Sequence, residues 1–90
     1  MKIAVMVSGG GTNLQAIIDC IKDNKLSGVE IARVVSSREN TFAQQRAENF
    51  NIPVSVILRK NYISQKDYDM VLLNELKNDE VELIVLAGFL

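Results

Sequence analysis

Six consecutive residues, Ser8-Gly9-Gly10-Gly11-Thr12-Asn13, are the stretch of this chain best suited to hold a small ligand. Three glycines in a row free the backbone to take left-handed dihedrals and to approach a ligand with no Cβ in the way. Leu14, Ile17, Ile18 and Ile21 follow at the i, i+3, i+4, i+7 spacing of a helix with one buried face, so the glycines lead into a helix start. The first N–H groups of a helix have no partner inside it, and the helix dipole puts partial positive charge there. Thr12 or Asn13 is the expected N-cap. The chemistry on offer is anion binding, with phosphate the usual occupant. The plainer reading of the same glycines is a tight strand-to-helix turn.

Two narrower motifs do not fit the letters. A Walker loop requires Gly-x-x-x-x-Gly-Lys-Ser/Thr, and no lysine lies between Gly9 and Ile21. A dinucleotide fingerprint requires Gly-x-Gly-x-x-Gly, whereas Leu14 stands at the third glycine position after Gly9 and Gly11. The fingerprint also needs an acid at the end of the second strand, and Val35-Ser36-Ser37-Arg38 offers none to hold a ribose. A mononucleotide or sugar phosphate fits the loop better than a dinucleotide.

Acid–base groups are scarce. The chain has no histidine, which excludes Ser-His, Cys-His and His-metal arrangements within these residues. Cys20 is the one cysteine, so there is no intrachain disulfide and no multi-cysteine metal site. Its place at the flank of the first helix's apolar face makes it a core-edge residue. The glycine loop contains no Asp, Glu or Lys. The proton-transfer group of any reaction is therefore expected elsewhere, and neither a catalytic residue nor a metal ligand is assigned.

The elements that position the loop follow from the rest of the chain. Ile3-Ala4-Val5-Met6-Val7 is an apolar run and reads as the first strand, and Gly28 closes the exit from the first helix. Val29 to Val35 is β-branched and partly alternating, a second strand, with the polar Ser36–Asn40 loop at its carboxyl end. Thr41 is the expected N-cap of a helix from Phe42 to Phe50. Ala43, Ala47 and Phe50 form its apolar face, Gln44, Gln45, Arg46 and Glu48 decorate the rest, and Asn51 and Pro53 stop it. Val54 to Leu58 is a short third strand, suited to an edge by Pro53 and Ser55, and Arg59-Lys60-Asn61 reads as a solvated basic turn. Ser64-Gln65-Lys66-Asp67 resembles a capping box with Asp in place of Glu. Tyr68, Val71, Leu72 and Leu76 then keep one helical face, with Tyr68 in the core. Leu83 to Ala87 is an unbroken apolar run, typical of a parallel strand covered on both faces.

The pattern βαβαβαβ with right-handed crossovers predicts a Rossmann-like α/β fold, a doubly wound parallel sheet of order 3-2-1-4. Ligands in such sheets sit beyond the carboxyl ends of the strands, at the switch point between strands one and four. Ser8 to Asn13 would line one side of that crevice and Gly88-Phe89-Leu90 the other. A fourth strand ending beside Leu90 would be an edge with no charge, proline or bulge to blunt it. The expectation is that residues 1–90 are the front half of a larger α/β domain, apparently truncated after strand four.

Composition narrows the class. A chain of 90 residues makes at most one small domain, and 48% hydrophobic residues is a globular value. Ten basic and eleven acidic residues are spread along the chain for a net charge of −1, with no basic stripe, so no nucleic acid partner is expected. No apolar run reaches the roughly 20 residues of a membrane span. The start lacks a basic segment leading into a signal-peptide core, so the expected location is cytoplasmic, without a membrane partner. Monomer and homodimer both remain open.

The run from Ile3 through Ser8-Gly9-Gly10-Gly11-Thr12-Asn13-Leu14-Gln15-Ala16-Ile17 resembles the opening of the phosphoribosylglycinamide formyltransferases, also called glycinamide ribonucleotide transformylases. Further matches come in the right order: Val35-Ser36-Ser37, Phe42 with Arg46-Ala47, Tyr68-Asp69, and Val85-Leu86-Ala87-Gly88-Phe89-Leu90. The resemblance covers essentially the whole chain. It implies a purine-synthesis enzyme that moves a formyl group from the co-substrate 10-formyltetrahydrofolate to the amine of glycinamide ribonucleotide. It further implies that the loop of Gly9, Gly10, Gly11, Thr12 and Asn13 holds the substrate's phosphate. Phe89 and Leu90 would begin the wall of the folate pocket. Gln65, with Lys66 beside it, stands where the family has a basic residue that reaches the folate. The family's catalytic Asn, His and Asp lie beyond strand four, so the 90 residues alone are expected to be inactive. The alternatives are a stand-alone nucleotide- or sugar-phosphate-binding module without catalysis, and another Rossmann-like enzyme such as a dehydrogenase. The missing third glycine and ribose acid weigh against the dehydrogenase.

Overall fold

A computed structural model describes residues 1–88. The chain runs β1 (Lys2–Val7), α1 (Thr12–Lys22), β2 (Glu30–Ser36), α2 (Phe42–Asn49), β3 (Val54–Val56), a 3-10 turn over Arg59–Asn61, α3 (Gln65–Asn78) and β4 (Leu83–Leu86). All strand pairs are parallel and the sheet order is β3-β2-β1-β4, as the sequence predicts.

The alternation of side chains along β1 builds two cores. Ile3, Val5 and Val7 point to one face of the sheet and pack with Leu14 and Ile18 of α1, Ala43 and Ala47 of α2, Val34 and Ala87. Ala4 and Met6 point to the other face, with Val35, Ile57 and the Tyr68 and Leu76 side chains of α3. Burial on both faces is what a nearly all-apolar β1 requires, and it makes β1 the organising strand.

The sheet departs from the sequence reading in several strand ends and in the cover of β4. The β2 strand runs one residue further, to Ser36, because its register with β1 continues to Val7. The β3 strand ends at Val56, since only Val54, Ser55 and Val56 find partners on β2. The apolar run of β4 suggested cover on both faces. It forms the sheet edge beside β1, and Leu83, Ile84 and Leu86 are 50%, 42% and 67% exposed. Only Val85 and Ala87 of this run pack into the α1–α2 core, because no described element lies across the strand's outer edge.

At the far end of the sheet from the glycine loop, Arg33 of β2 grips Asp79 at the end of α3. Its Nε and Nη2 donate to the two carboxylate oxygens at 2.5 and 3.2 Å, and Nη1 donates to Ser55 Oγ at 2.8 Å. This two-pronged pairing joins β2, β3 and α3. Phe50, expected on the apolar face of α2, is partly exposed, with the Lys22 ammonium 4.9 Å from its ring centroid.

Candidate functional site

The carboxyl ends of β1 and β2 are held together by serines. Ser37 N–H donates to Val7 O at 3.0 Å, and the hydroxyls of Ser8 and Ser37 lie 2.6 Å apart. Ser36 Oγ donates to Arg38 O at 2.6 Å, which folds the chain back at the end of β2. From this platform the main chain enters Gly9 and Gly10, both exposed, where a Cβ would meet no atom within 4 Å.

Gly11 is the N-cap of α1, with φ +79°, and no side chain caps this helix. Thr12 and Asn13 are therefore not caps: they are the first two helical residues, and both are exposed. The reason is local crowding. A Cβ on Gly11 would lie 2.6 Å from Ala43 Cα, 2.8 Å from Ala43 Cβ and 3.2 Å from Arg46 Cδ. Left-handed backbone together with this contact excludes the side chains that usually cap helices. The sequence reading placed the obstacle to a Gly11 side chain on the ligand side. The obstacle is α2.

Helix α2 also decides which way the loop's peptides face. Ala43 N–H donates to Gly9 O at 3.1 Å, and Arg46 Nε donates to Gly10 O at 2.9 Å. Both peptides are trans, and in a trans peptide the C=O and N–H point in opposite directions. With both carbonyls turned toward α2, the N–H groups of Gly10 and Gly11 are turned away from it. Among the described residues no acceptor meets either of them. They continue into the first N–H groups of α1, which have no partner within the helix. The result is a run of unmet backbone donors at a helix start, suited to an anion with several oxygens.

Arg46 is the residue the sequence reading missed. It was placed among the polar decoration of α2, yet its guanidinium reaches the loop and its Nη1 donates to Gln15 Oε1 on α1 at 3.2 Å. The available signal was its spacing: Arg46 falls three residues after Ala43 and directly before Ala47, at the border of the small-residue face that approaches α1.

Gln65 is the first residue of α3 and is exposed. Its Oε1 accepts from Arg59 Nε at 3.0 Å and its Nε2 donates to Asp69 Oδ1 at 2.8 Å. The basic turn is thus tied to the start of α3, Arg59 also donating to Tyr62 O at 2.9 Å. Arg59, Lys60, Leu58, Ser37, Arg38 and Glu39 line an open cleft of about 300 Å³ at the carboxyl ends of β2 and β3. Phe89 and Leu90 lie outside the described residues. Cys20 is half-buried, in keeping with a core-edge place.

The whole chain, residues 1–90, matches the formyl transferase family profile. A trifunctional purine biosynthetic protein adenosine-3 from Chironomus tentans is 41% identical over 90 residues, covering 99% of this chain and 7% of that protein. The phosphoribosylglycinamide formyltransferase of Escherichia coli (strain K12) is 37% identical over 90 residues, covering 100% of this chain and 42% of that enzyme. The chain thus spans less than half the length of these relatives. Among solved structures, the phosphoribosylglycinamide formyltransferase from Bacillus Halodurans aligns with a TM-score of 0.95 at 30% identity, over 99% of this chain and 45% of the other. The Coxiella burnetii enzyme, solved in complex with CHES, aligns with a TM-score of 0.92 at 38% identity, over 100% of this chain and 42% of the other. Sequence and overall fold agree, and the chain belongs to the formyl transferase family.

Proposed function

We propose that residues 1–90 are the N-terminal, phosphate-anchoring half of a phosphoribosylglycinamide formyltransferase domain. The enzyme transfers a formyl group from 10-formyltetrahydrofolate to the amine of glycinamide ribonucleotide, in the purine pathway and in the cytoplasm. The observation that carries this reading is the pair of outward-turned peptides at Gly10 and Gly11, running into the uncapped start of α1. Gly9 to Asn13 hold the ribonucleotide's phosphate, Gly10 and Gly11 through backbone N–H groups, with Thr12 and Asn13 closing round the anion. The names of the relatives support the substrate, and no described helix is long and apolar enough to cross a membrane. Gln65 takes the folate contact at the start of α3, beside the Arg59 guanidinium bonded to it. Phe89 and Leu90 begin the folate wall.

Formyl transfer needs the amine held in line with the formyl carbon, stabilisation of the oxyanion that develops, and a proton for the departing folate nitrogen. The loop provides the first by fixing the far end of the substrate. No histidine is present in these residues, and the acid–base work falls to groups outside them. Residues 1–90 alone are therefore binding-competent at most and do not turn over. The test is calorimetric titration of the intact enzyme with glycinamide ribonucleotide and with the same compound lacking its phosphate. The phosphate-free compound should bind roughly a hundredfold more weakly, the loss of two or so charge-assisted hydrogen bonds. Equal affinities would overturn the assignment of the loop.

A further inference from the structure

We infer that Arg46 is a positioning residue for the anion-binding loop, holding its donors in place without touching the ligand. This rests on the phosphate reading of the loop given above. Three observations at the contact of α1 and α2 converge. Arg46 Nε bonds Gly10 O at 2.9 Å and its Nη1 bonds Gln15 Oε1 at 3.2 Å, so one planar guanidinium spans the glycine loop and the first turn of α1. Gln15 is itself steered from the other side, its Nε2 donating to Asp19 Oδ1 at 3.0 Å. The Arg46 stem packs where a Gly11 side chain would stand, with its Cδ 3.2 Å from that position.

Each contact does something specific. The bond to Gly10 O fixes the plane of the Gly10–Gly11 peptide and hence the direction of the Gly11 N–H. Without it that peptide is free to rotate, since glycine on both sides places little steric limit on the flip. The bond to Gln15 locks the loop to α1, so the loop donors and the helix donors keep one geometry. Arg46 also makes no ion pair within 4.0 Å among the described residues, where the Arg33–Asp79 pair is the one salt bridge. Its positive charge beside the loop is therefore not cancelled by a carboxylate in contact, and it adds to the field that favours an anion. A guanidinium suits this place better than an ammonium, because two acceptors on different elements must be met at a fixed angle.

The test uses Arg46→Ala and Arg46→Lys in the intact enzyme. The first readout needs no ligand: NMR order parameters of the Gly10 and Gly11 amides. They should sit near the rigid value of about 0.85 in the parent and fall toward about 0.6 in Arg46→Ala, with Arg46→Lys between. The second readout is calorimetric titration with glycinamide ribonucleotide. Arg46→Ala should raise Kd about tenfold or more at unchanged stoichiometry, Arg46→Lys should recover part of the loss, and the Kd for the folate should not move. A residue that only supports the fold would instead lower the bound stoichiometry and leave Kd alone, and that result overturns the proposal. Unaltered loop order parameters in Arg46→Ala overturn it too. Should Arg46→Ala not fold, Arg46→Lys decides by the same two readouts. If the parent fails to distinguish the phosphate-bearing compound from the phosphate-free one, the phosphate reading fails, while the order parameters still report on positioning.

Discussion

Helices α1 and α2 both start just past the carboxyl end of a strand, on the same side of the sheet, yet their first turns are treated in opposite ways. At α2, Thr41 Oγ1 accepts from Gln44 N–H at 3.2 Å and the Gly9 carbonyl accepts from Ala43 N–H at 3.1 Å. Two of the first N–H groups of α2 are thus met inside the protein. Helix α3 follows the same rule, with Ser64 Oγ accepting from Asp67 N–H at 3.2 Å. At α1 a left-handed glycine stands in the cap position and no side chain caps the helix. The contrast separates helix starts that serve the fold from one whose donors stay available. It also shows how the two are linked: α2 satisfies itself with the loop's carbonyls, and so turns the loop's N–H groups outward.

The hardest test of this contrast is Gly11→Ala. The substitution forces a side chain into left-handed backbone, about 1–2 kcal/mol, and into the α2 backbone, about 1–3 kcal/mol more as overpacking. Urea denaturation of the intact enzyme should show a loss of about 2–5 kcal/mol. A loss under about 1 kcal/mol would mean that α2 yields easily and does not set the loop. Gly10→Ala is the control: its Cβ meets open space and its φ is not positive. Stability should hold within about 1 kcal/mol, while affinity for the ribonucleotide falls if the phosphate sits against that glycine.

Caps give the next effect in size. Thr41→Ala and Ser64→Ala should each cost about 1 kcal/mol in the same denaturation experiment. Thr12→Ala should stay within about 0.5 kcal/mol, because Thr12 caps nothing and alanine is the better helix former. If Thr12→Ala costs as much as the other two, the distinction between α1 and its neighbours disappears.

The smallest effect sharpens the structural character of the α3 start. Tyr68 lies in the first turn of α3, is 4% exposed, and its hydroxyl has no hydrogen-bond partner among the described residues. Its ring meets Tyr62 edge-on, with centroids 5.8 Å apart. Burial, and then the negative charge of Asp69, hold its phenol pKa above the ordinary 10.0. The unfolded chain therefore ionises first, and the stability held by the neutral phenol is lost as pH climbs from about 10 through the raised folded value. Tyr68→Phe should be neutral or slightly stabilising at pH 7 and should flatten the alkaline fall in thermal midpoint. An unchanged alkaline profile would assign that fall to other groups.

Much of this was legible in the sequence for reasons that act over short range. The 3.6-residue spacing of Leu14, Ile17, Ile18 and Ile21, and the hydroxyls of Thr41 and Ser64 ahead of helical segments, are local signals, and the structure follows them. The 3-2-1-4 order followed from crossover handedness and the apolar run Ile3 to Val7 of β1. What escaped was set by partners distant in sequence. Thr12 has the chemistry of a cap, but the cap position must lie against Ala43, where only glycine fits. Arg46 reads as a solvated residue of α2 until α1 and its loop are packed beside it, with Gly10 O and Gln15 Oε1 as its partners. Arg33 and Asp79, likewise, become a pair only when α3 lies across the sheet.

The middle position of β1 has a consequence in time. Its pairing with β2 spans about thirty residues, whereas Ile3 meets Leu83 only about eighty residues later. During synthesis β1 is made before both of its partners, and its second edge waits about eighty residues for β4. Contacts so far apart in sequence close slowly, because the loop entropy must be overcome before they are rewarded. Among the described residues the last bond of that closure, Ala87 N–H to Met6 O at 2.9 Å, falls two residues before the platform on which the glycine loop rests. Among the described residues the mouth of the loop is thus among the latest parts to reach final form, and ligand capture reports a later stage of folding than helix content does.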